Sequence, residues 1–196
     1  MTLPEIHPTL ATERLVLRPH DAGDADALYA LFTDPATMRY WGAPPWTDRV
    51  QATAMIERAA DMFAAHEAIR FALAPREGGA MLGTCTLFSI DAQNRRAEMG
   101  YILASEAWGR GLMHEALTAL LDWGFGPLGL HRVEADVDPR NVPSVKALER
   151  LGFVREGVLR QRWQVAGEVS DSIFLGLLAP EWAVRRAGDG EPGGVS

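Results

Sequence analysis

The sequence is short of the residues that build disulfides, lysine-dependent phosphate loops and membrane spans. Cys85 is its only cysteine, so an internal disulfide is excluded. Lys146 is its only lysine and is not part of a Gly-Lys-Ser/Thr triplet, which excludes a P-loop. No apolar run reaches the ~18 residues that cross a bilayer, and the N-terminus has no basic segment followed by an apolar stretch. These absences predict a cytoplasmic protein with no membrane partner.

Patterns for metal and nucleic-acid binding are also lacking. The five histidines show no metal-ligand spacing, which predicts no metal site. The formal net charge of −7 argues against a nucleic-acid partner, because phosphate backbones are bound by basic faces. The same charge suits a cationic amine, although most acidic proteins are acidic for solubility. A chain of 196 residues suits one domain, and Cys85 lies in an apolar strand pattern typical of the core.

The most informative stretch combines a strand, a tight turn and a helix. The strand pattern Glu98–Leu103 leads to Gly109 and Gly111. Apolar residues then follow at helical spacing, namely Leu112, Met113, Ala116, Leu117, Leu120, Leu121 and Phe125. The first turn of a helix has unpaired N–H groups, and glycine allows close approach to the backbone, so this turn is a candidate seat for a pyrophosphate. The glycines alone favour a plain loop, and His114 excludes a G-x-G-x-x-G dinucleotide motif.

The motifs that follow decide between a plain loop and a binding turn. Their order resembles the GNAT superfamily of N-acetyltransferases and, within it, the RimJ/RimL-type branch. That branch typically shows W-G-x-G-x-x-x-E-A-L, then N-x-x-S, then L-x-x-x-G-F. Here these motifs are Trp108–Leu117, Asn141 with Ser144, and Leu148–Phe153. The opening Thr12–Pro19 also fits, and the resemblance runs from about Thr12 to Trp182.

The resemblance implies an α/β (α+β) fold of the GNAT type. We expect one mixed, mostly antiparallel sheet of about seven strands, with helices on both faces and central strands that splay apart. Residues 1–184 would form the N-acetyltransferase domain. Residues 185–196 are rich in glycine and lack core residues, so we expect a disordered tail there. A last hairpin is predicted from Leu159–Val165 and Val169–Leu178.

The resemblance also implies that acetyl-CoA is the co-substrate and that no metal takes part. The pyrophosphate of acetyl-CoA is expected to bind the main-chain amides of the glycine turn. Asn141 is expected to hydrogen-bond an amide of the pantetheine arm. Arg110 either adds charge beside a phosphate or is a solvated turn residue. Trp108 and Met113 depart from the residues that the wider superfamily usually has there. The predicted cofactor-binding residues are Trp108, Gly109, Arg110, Gly111, Leu112, Met113, His114 and Asn141.

Two residues are the predicted catalytic groups. Glu98 is the candidate base that takes the proton of the amine, with Asp171 as the reserve candidate. Many superfamily members place an acidic tyrosine where this chain has Leu148, and in RimJ/RimL-type enzymes a serine takes that role, which matches Ser144. Gly100 suggests a bulge that exposes a backbone N–H for the carbonyl oxygen of the thioester.

More than one class of acceptor is compatible with the sequence. The RimJ/RimL resemblance implies a protein N-terminal α-amine, attacked directly in a ternary complex. The alternatives are a small-molecule amine such as a polyamine or aminoglycoside, and a non-catalytic acyl-CoA-binding module. The aromatic loop with Tyr40, Trp41 and Trp46 is either a hydrophobic plug or a wall of the acceptor pocket. Trp163 on the last hairpin suits either the core or an interface, and a homodimer is an open alternative.

Overall fold

One eight-stranded sheet organises residues 2–189, the part of the chain that the computed structural model describes. Its strands are β1 (Leu10–Ala11), β2 (Leu15–Arg18), β3 (Ile69–Pro75), β4 (Gly83–Asp91), β5 (Arg96–Leu103), β6 (Arg132–Val137), β7 (Val154–Val165) and β8 (Glu168–Leu178). The strand order is β1-β2-β3-β4-β5-β6-β8-β7. Only β5 and β6 pair in parallel, which confirms the mixed, mostly antiparallel sheet. The strand beyond the expected seven is the two-residue β1.

The helices lie on both faces of this sheet, as expected. They are α1 (Ala25–Thr33), α2 (Pro35–Met38), α3 (Val50–Ala64), α4 (Leu112–Phe125), α5 (Val142–Leu151) and α6 (Ala179–Asp189). Alternate residues of β3 show the two faces, because Phe71 and Leu73 join the core under α4 and α5 whereas Ala72 packs with α1 and α3. In the described part of the chain no helix is long and apolar enough to span a bilayer.

The central strands β5 and β6 pair over only three residues each. Arg96–Glu98 lies beside Arg132–Glu134, and beyond these residues the two strands share no register. Because β5 continues to Leu103 and β6 to Val137, the strands part just after Glu98. This confirms the expected splay and places Glu98 at its fork.

The structure differs from the sequence prediction at the C-terminal tail and at the last hairpin. Residues 185–189 belong to helix α6, so the expected disorder at residue 185 was wrong. Trp182 explains the helix, because its ring is buried in the core and its Nε1 donates to Asp122 at 3.0 Å. Residues 190–196 of the predicted tail lie outside the described residues. Strand β7 begins at Val154, five residues before the predicted hairpin.

Candidate active site

The glycine turn presents a row of backbone amides at the start of α4. Gly109 and Gly111 have φ of +72° and +75°, a left-handed conformation that side chains with a Cβ rarely adopt. Within residues 2–189 nothing accepts a hydrogen bond from the amides of Gly109 through Met113. A Cβ built on Gly109 would meet no atom within 4 Å, so the turn opens to solvent. Unpaired amides at a helix N-terminus suit a pyrophosphate.

Glu115 ties this turn to the N-terminal strands, a contact that the sequence reasoning missed. Its carboxylate accepts hydrogen bonds from Thr12 Oγ1 at 2.5 Å, from Arg14 N at 2.7 Å and from Arg14 Nε at 2.6 Å. Arg14 also donates from Nη1 to the carbonyl of Arg110 at 2.8 Å. The glutamate of the W-G-x-G-x-x-x-E pattern and Thr12 were visible signals. Their pairing was not, because about 100 residues separate them in the chain.

The charge on Glu115 is stabilised by these donors. Burial acts to raise the pKa of this carboxyl, but the hydrogen bonds from Thr12 and Arg14 outweigh burial and hold the pKa below its ordinary value. The carboxylate therefore stays ionised at neutral pH, and it holds Arg14 against the turn through two bonds. The backbone conformation of the turn thus depends on an ion pair outside it.

The side chains of the predicted cofactor-binding segment differ in their surroundings. Trp108 is 49% exposed, and its Nε1 donates to the carbonyl of Leu103 at 2.7 Å, which joins the end of β5 to the turn. Leu112 is buried and Met113 packs against the core, so neither side chain covers the turn. Arg110 is exposed, and within the described ranges its guanidinium has no ion pair.

The other predicted groups line one cleft of about 980 Å³ at the splay between β5 and β6. Glu98, Gly100, Asn141 and Ser144 are all at its surface. Glu98 and Gly100 lie on the face of β5 that also carries Ile102, which packs with α1 and α3. Asn141 and Ser144 belong to the start of α5 on the opposite face. The parted strands therefore bring both sets of groups to a single opening.

Tyr101 contacts Ser144, which the sequence did not indicate. The phenol oxygen lies 2.7 Å from Ser144 Oγ, and either hydroxyl can be the donor of this bond. Asn141 begins helix α5, and its Oδ1 accepts from Ser144 N at 3.3 Å. Burial raises the pKa of Tyr101 to about 12, so the phenol is protonated at neutral pH. Leu148, where many superfamily members have a tyrosine, is fully buried.

The bulge predicted at Gly100 was wrong. Gly100 pairs in regular register with Thr86, and the irregularity of this strand pair lies between Phe88 and Asp91. Gly100 instead faces the ring of Phe88, since a Cβ there would lie 3.3 Å from it. The parting of β5 from β6 beyond Glu98 leaves backbone groups without a strand partner. That separation, not a bulge, exposes candidate donors for a carbonyl oxygen.

The aromatic loop packs against the core at Phe32 and lines the cleft, and its role as a wall of the acceptor pocket stays a prediction. Trp46 stacks on Phe32 with ring centroids 4.4 Å apart, and Trp41 meets the same ring edge-on at 5.5 Å. Tyr40, Trp41 and Trp46 also line the cleft. Trp163 also lines the cleft, and its ring packs close to Gly42 of the loop, since a Cβ built there would lie 3.1 Å from it.

The reserve base lies elsewhere. Asp171 is absent from the lining of the cleft, and its Oδ1 accepts from the backbone N–H of Gln161 at 2.8 Å. Gln161 lies in the stretch where β7 shifts register against β8, so the carboxylate stabilises the hairpin. The structure therefore brings Glu98 to the cleft and leaves Asp171 outside it.

The comparison with protein families decides the assignment. A model described as "Acetyltransferase (GNAT) domain" matches residues 14–154, which is well over half of the chain. The chain belongs to the GNAT acetyltransferase family. This GNAT protein is 41% identical over 175 residues to the uncharacterized N-acetyltransferase p20 of Bacillus licheniformis, which covers 89% of this chain and 98% of that protein.

Solved structures agree with the family assignment. The spermidine N-acetyltransferase of Vibrio cholerae in complex with CoA and spermine matches with a TM-score of 0.77 and 25% identity, over 86% of this chain and 98% of that chain. RimJ of Mycobacterium smegmatis in complex with CoA-disulfide matches with a TM-score of 0.81 and 24% identity, over 94% and 95%. The likeness to RimJ shows the fold. The GNAT protein is thus an acetyl-CoA-dependent N-acetyltransferase.

We expect Glu115→Gln to destabilise the protein by about 1–2 kcal/mol at neutral pH, because a neutral amide replaces a carboxylate that accepts from three donors, one of which is the half-exposed guanidinium of Arg14. The folded-state pKa of Glu115 is lowered, so its contribution is full above the unfolded value of about 4.3 and is lost as the pH falls through the folded pKa. Urea unfolding should show the two proteins converging below about pH 4.3. The exposed Glu106→Gln is the matched control, and a constant difference across pH would refute the role of the Glu115 charge.

Proposed function

We propose that this enzyme acetylates a primary amine, most of all the α-amino group of a protein or peptide, by direct attack on acetyl-CoA. The observation that carries the proposal is the meeting of Glu98 with Ser144 and Asn141 in one cleft at the parted strands. The RimJ/RimL-type motifs support a protein α-amine. The spermidine acetyltransferases among the relatives support amine acetylation more broadly.

The chain offers residues that fit acetyl-CoA. The unpaired amides of Gly109–Met113 suit its pyrophosphate, and the shape of the turn leaves that surface open. Asn141 uses its Oδ1 to begin helix α5, and its Nδ2 is left to donate to a pantetheine amide. Bound acetyl-CoA supplies the acetyl group as an activated thioester.

Glu98 suits the base because it is the cleft carboxylate without a fixed partner. An amine with a pKa near ~8–10 is mostly protonated at neutral pH and must lose that proton before it attacks. Asp136 and Asp138, which also line the cleft, are bound to Arg162 and Arg140 at 2.8 and 2.6 Å. The side-chain carboxylate of Glu98 forms no hydrogen bond or ion pair within residues 2–189. It is therefore the cleft carboxylate best placed to take up a proton.

Ser144 suits the group that donates to the departing sulfur. A serine hydroxyl is itself a weak acid, but its Oγ shares a hydrogen bond with the protonated phenol of Tyr101. The phenol can donate to Ser144 Oγ along this bond, which leaves the serine hydrogen free to donate a hydrogen bond to the departing sulfur. On the other side of the cleft, the backbone of β5 beyond Glu98 supplies N–H donors for the carbonyl oxygen.

A small-molecule amine is the second candidate, because spermidine acetyltransferases are among the relatives. A polyamine carries several positive charges and calls for several free carboxylates. Of the four carboxylates that line this cleft, three are paired with arginines, namely Asp136, Asp138 and Glu168. This pairing disfavours a polyamine and leaves a peptide α-amine as the better-supported acceptor.

The function is tested by incubating the protein with acetyl-CoA and either peptides with free N-termini or a panel of small amines. We expect release of free thiol together with a gain of one acetyl group on the α-amine of a peptide, read by mass spectrometry. Transfer to spermidine or an aminoglycoside alone would establish the small-molecule alternative. Saturable acetyl-CoA binding without thiol release from any acceptor would establish the non-catalytic module.

Glu98→Gln should lower the rate of transfer at neutral pH by about 10²- to 10⁴-fold, since the amine loses its base. Raising the pH should partly restore the rate, because a larger fraction of the acceptor is then already neutral. The pH profile of kcat/KM for wild type and variant is the measurement, with Asp171→Asn as the matched control outside the cleft. An unchanged rate in Glu98→Gln would remove Glu98 from the mechanism.

Ser144→Ala should slow turnover by about 10- to 100-fold, the range expected for one hydrogen bond lost from the transition state, with a smaller change in CoA affinity. Tyr101→Phe should show a partial version of the same defect, because Ser144 stays in place but loses the hydrogen bond that orients its hydroxyl. Single-turnover rates and calorimetric CoA titrations separate the two effects. Equal losses in turnover and affinity would reassign Ser144 to binding.

A further inference from the structure

The charges of the cleft do not balance at the end that lies between α3 and the sheet. Five arginines line the cleft, and three of them have carboxylate partners: Arg39 with Glu168, Arg140 with Asp138 and Glu168, and Arg162 with Asp136. The remaining two, Arg58 and Arg70, form no ion pair with any residue from 2 to 189. Two guanidinium groups therefore face one cleft without an ion-pair partner among residues 2–189.

Arg70 is the more enclosed of the two. It lies on β3. Within the described chain its guanidinium makes one hydrogen bond, from Nη1 to the sulfur of Met55 at 3.8 Å. Burial, followed by the nearby charge of Arg58, lowers the pKa of Arg70 to about 10. Arg58 lies on the exposed side of α3 and reaches the same cleft. An anion that contacts both guanidinium groups would offset the repulsion between this partly buried cation and its neighbour.

The position of this pair relative to the reacting centre follows from the sheet register. Arg70 pairs with Thr86, and Thr86 pairs with Gly100, so the three residues lie side by side on one face. Adjacent strands are ~4.8 Å apart, which puts the backbone of Arg70 about 10 Å from that of Gly100. Glu98 lies on the same face as Gly100, at the fork of the strands. An extended acceptor can thus reach Glu98 and the arginine pair at the same time.

We propose that Arg58 and Arg70 bind an oxyanion, a carboxylate or a phosphate, that the amine acceptor itself carries. This inference rests on the proposed acetylation of an amine beside Glu98, and it narrows the acceptor to amines with an anionic group several bonds away. Guanidinium forks suit the planar carboxylate and the phosphate alike. For a peptide acceptor, the anion is an acidic or phosphorylated side chain close to the N-terminus.

The test compares acceptor peptides that differ at one position. Peptides beginning Ser-Glu, Ser-phosphoserine, Ser-Gln and Ser-Lys are acetylated at saturating acetyl-CoA, and 6-aminohexanoate is compared with its amide. Wild type should favour the anionic member of each set by about 10- to 100-fold in kcat/KM, mainly through KM. The stronger of the glutamate and phosphoserine peptides identifies which oxyanion the site takes.

Variants locate the preference. Arg70→Gln and Arg58→Gln should each reduce the ratio of kcat/KM for the anionic peptide to kcat/KM for the Ser-Gln peptide by about 10-fold or more. Arg160→Gln removes the same charge from an exposed position outside the cleft and should keep the preference. Because Arg70 is enclosed, Arg58→Gln on the exposed face of α3 tests the site if Arg70→Gln does not fold. Inorganic phosphate should also compete with the Ser-Gln peptide in wild type, and less in Arg58→Gln.

The outcomes separate this inference from the proposed function. Equal or better use of the neutral and lysine peptides by wild type overturns the oxyanion site while acetyl transfer stands. A preference that survives in both Arg58→Gln and Arg70→Gln overturns it as well. Failure to acetylate any acceptor, neutral or anionic, overturns the proposed transfer and this inference with it.

Discussion

The separation of β5 from β6 beyond Glu98 is the constraint on which the rest of the site depends. Paired strands satisfy each other's backbone groups, and parting them leaves N–H and C=O groups that need another partner. The same separation opens the sheet, so that Glu98 from one face and Ser144 from the other reach one cleft. Continuous pairing of these two strands would separate the proposed base from the proposed donor by the thickness of the sheet.

A second constraint holds the end of β5 in relation to the turn that follows it. Trp108 bonds back to the carbonyl of Leu103, and Glu115 holds Arg14 against the carbonyl of Arg110. The turn with its unpaired amides is therefore attached both to the strand that carries Glu98 and to the N-terminal strands. In the account proposed here, a cofactor held at the turn is directed towards the splay by this attachment.

The local sequence pattern predicted those features of the fold that depend on residues close together in the chain. The helix after Gly111, the cap at Asn141 and most strands follow from periodicity and capping, and the motif order predicted the splayed sheet. The bond between Tyr101 and Ser144 and the link from Glu115 to Arg14 depend on residues 43 and 101 positions apart, which periodicity does not relate. The prediction of a bulge at Gly100 was wrong because a glycine in a strand also allows close packing against an aromatic ring, here that of Phe88. Helix α6 was missed because the bonds that hold it, from Trp182 and Arg186 to Asp122, join residues 60 and 64 positions apart.

The most direct test of the central claim is a titration of the isotope-labelled protein with coenzyme A, followed by the backbone amide resonances. The account predicts saturable shifts that are largest for the amides of Gly109–Met113, with smaller shifts at Asn141 and along β5 beyond Glu98. Absence of saturable shifts, or shifts centred away from the glycine turn and the splay, would contradict it.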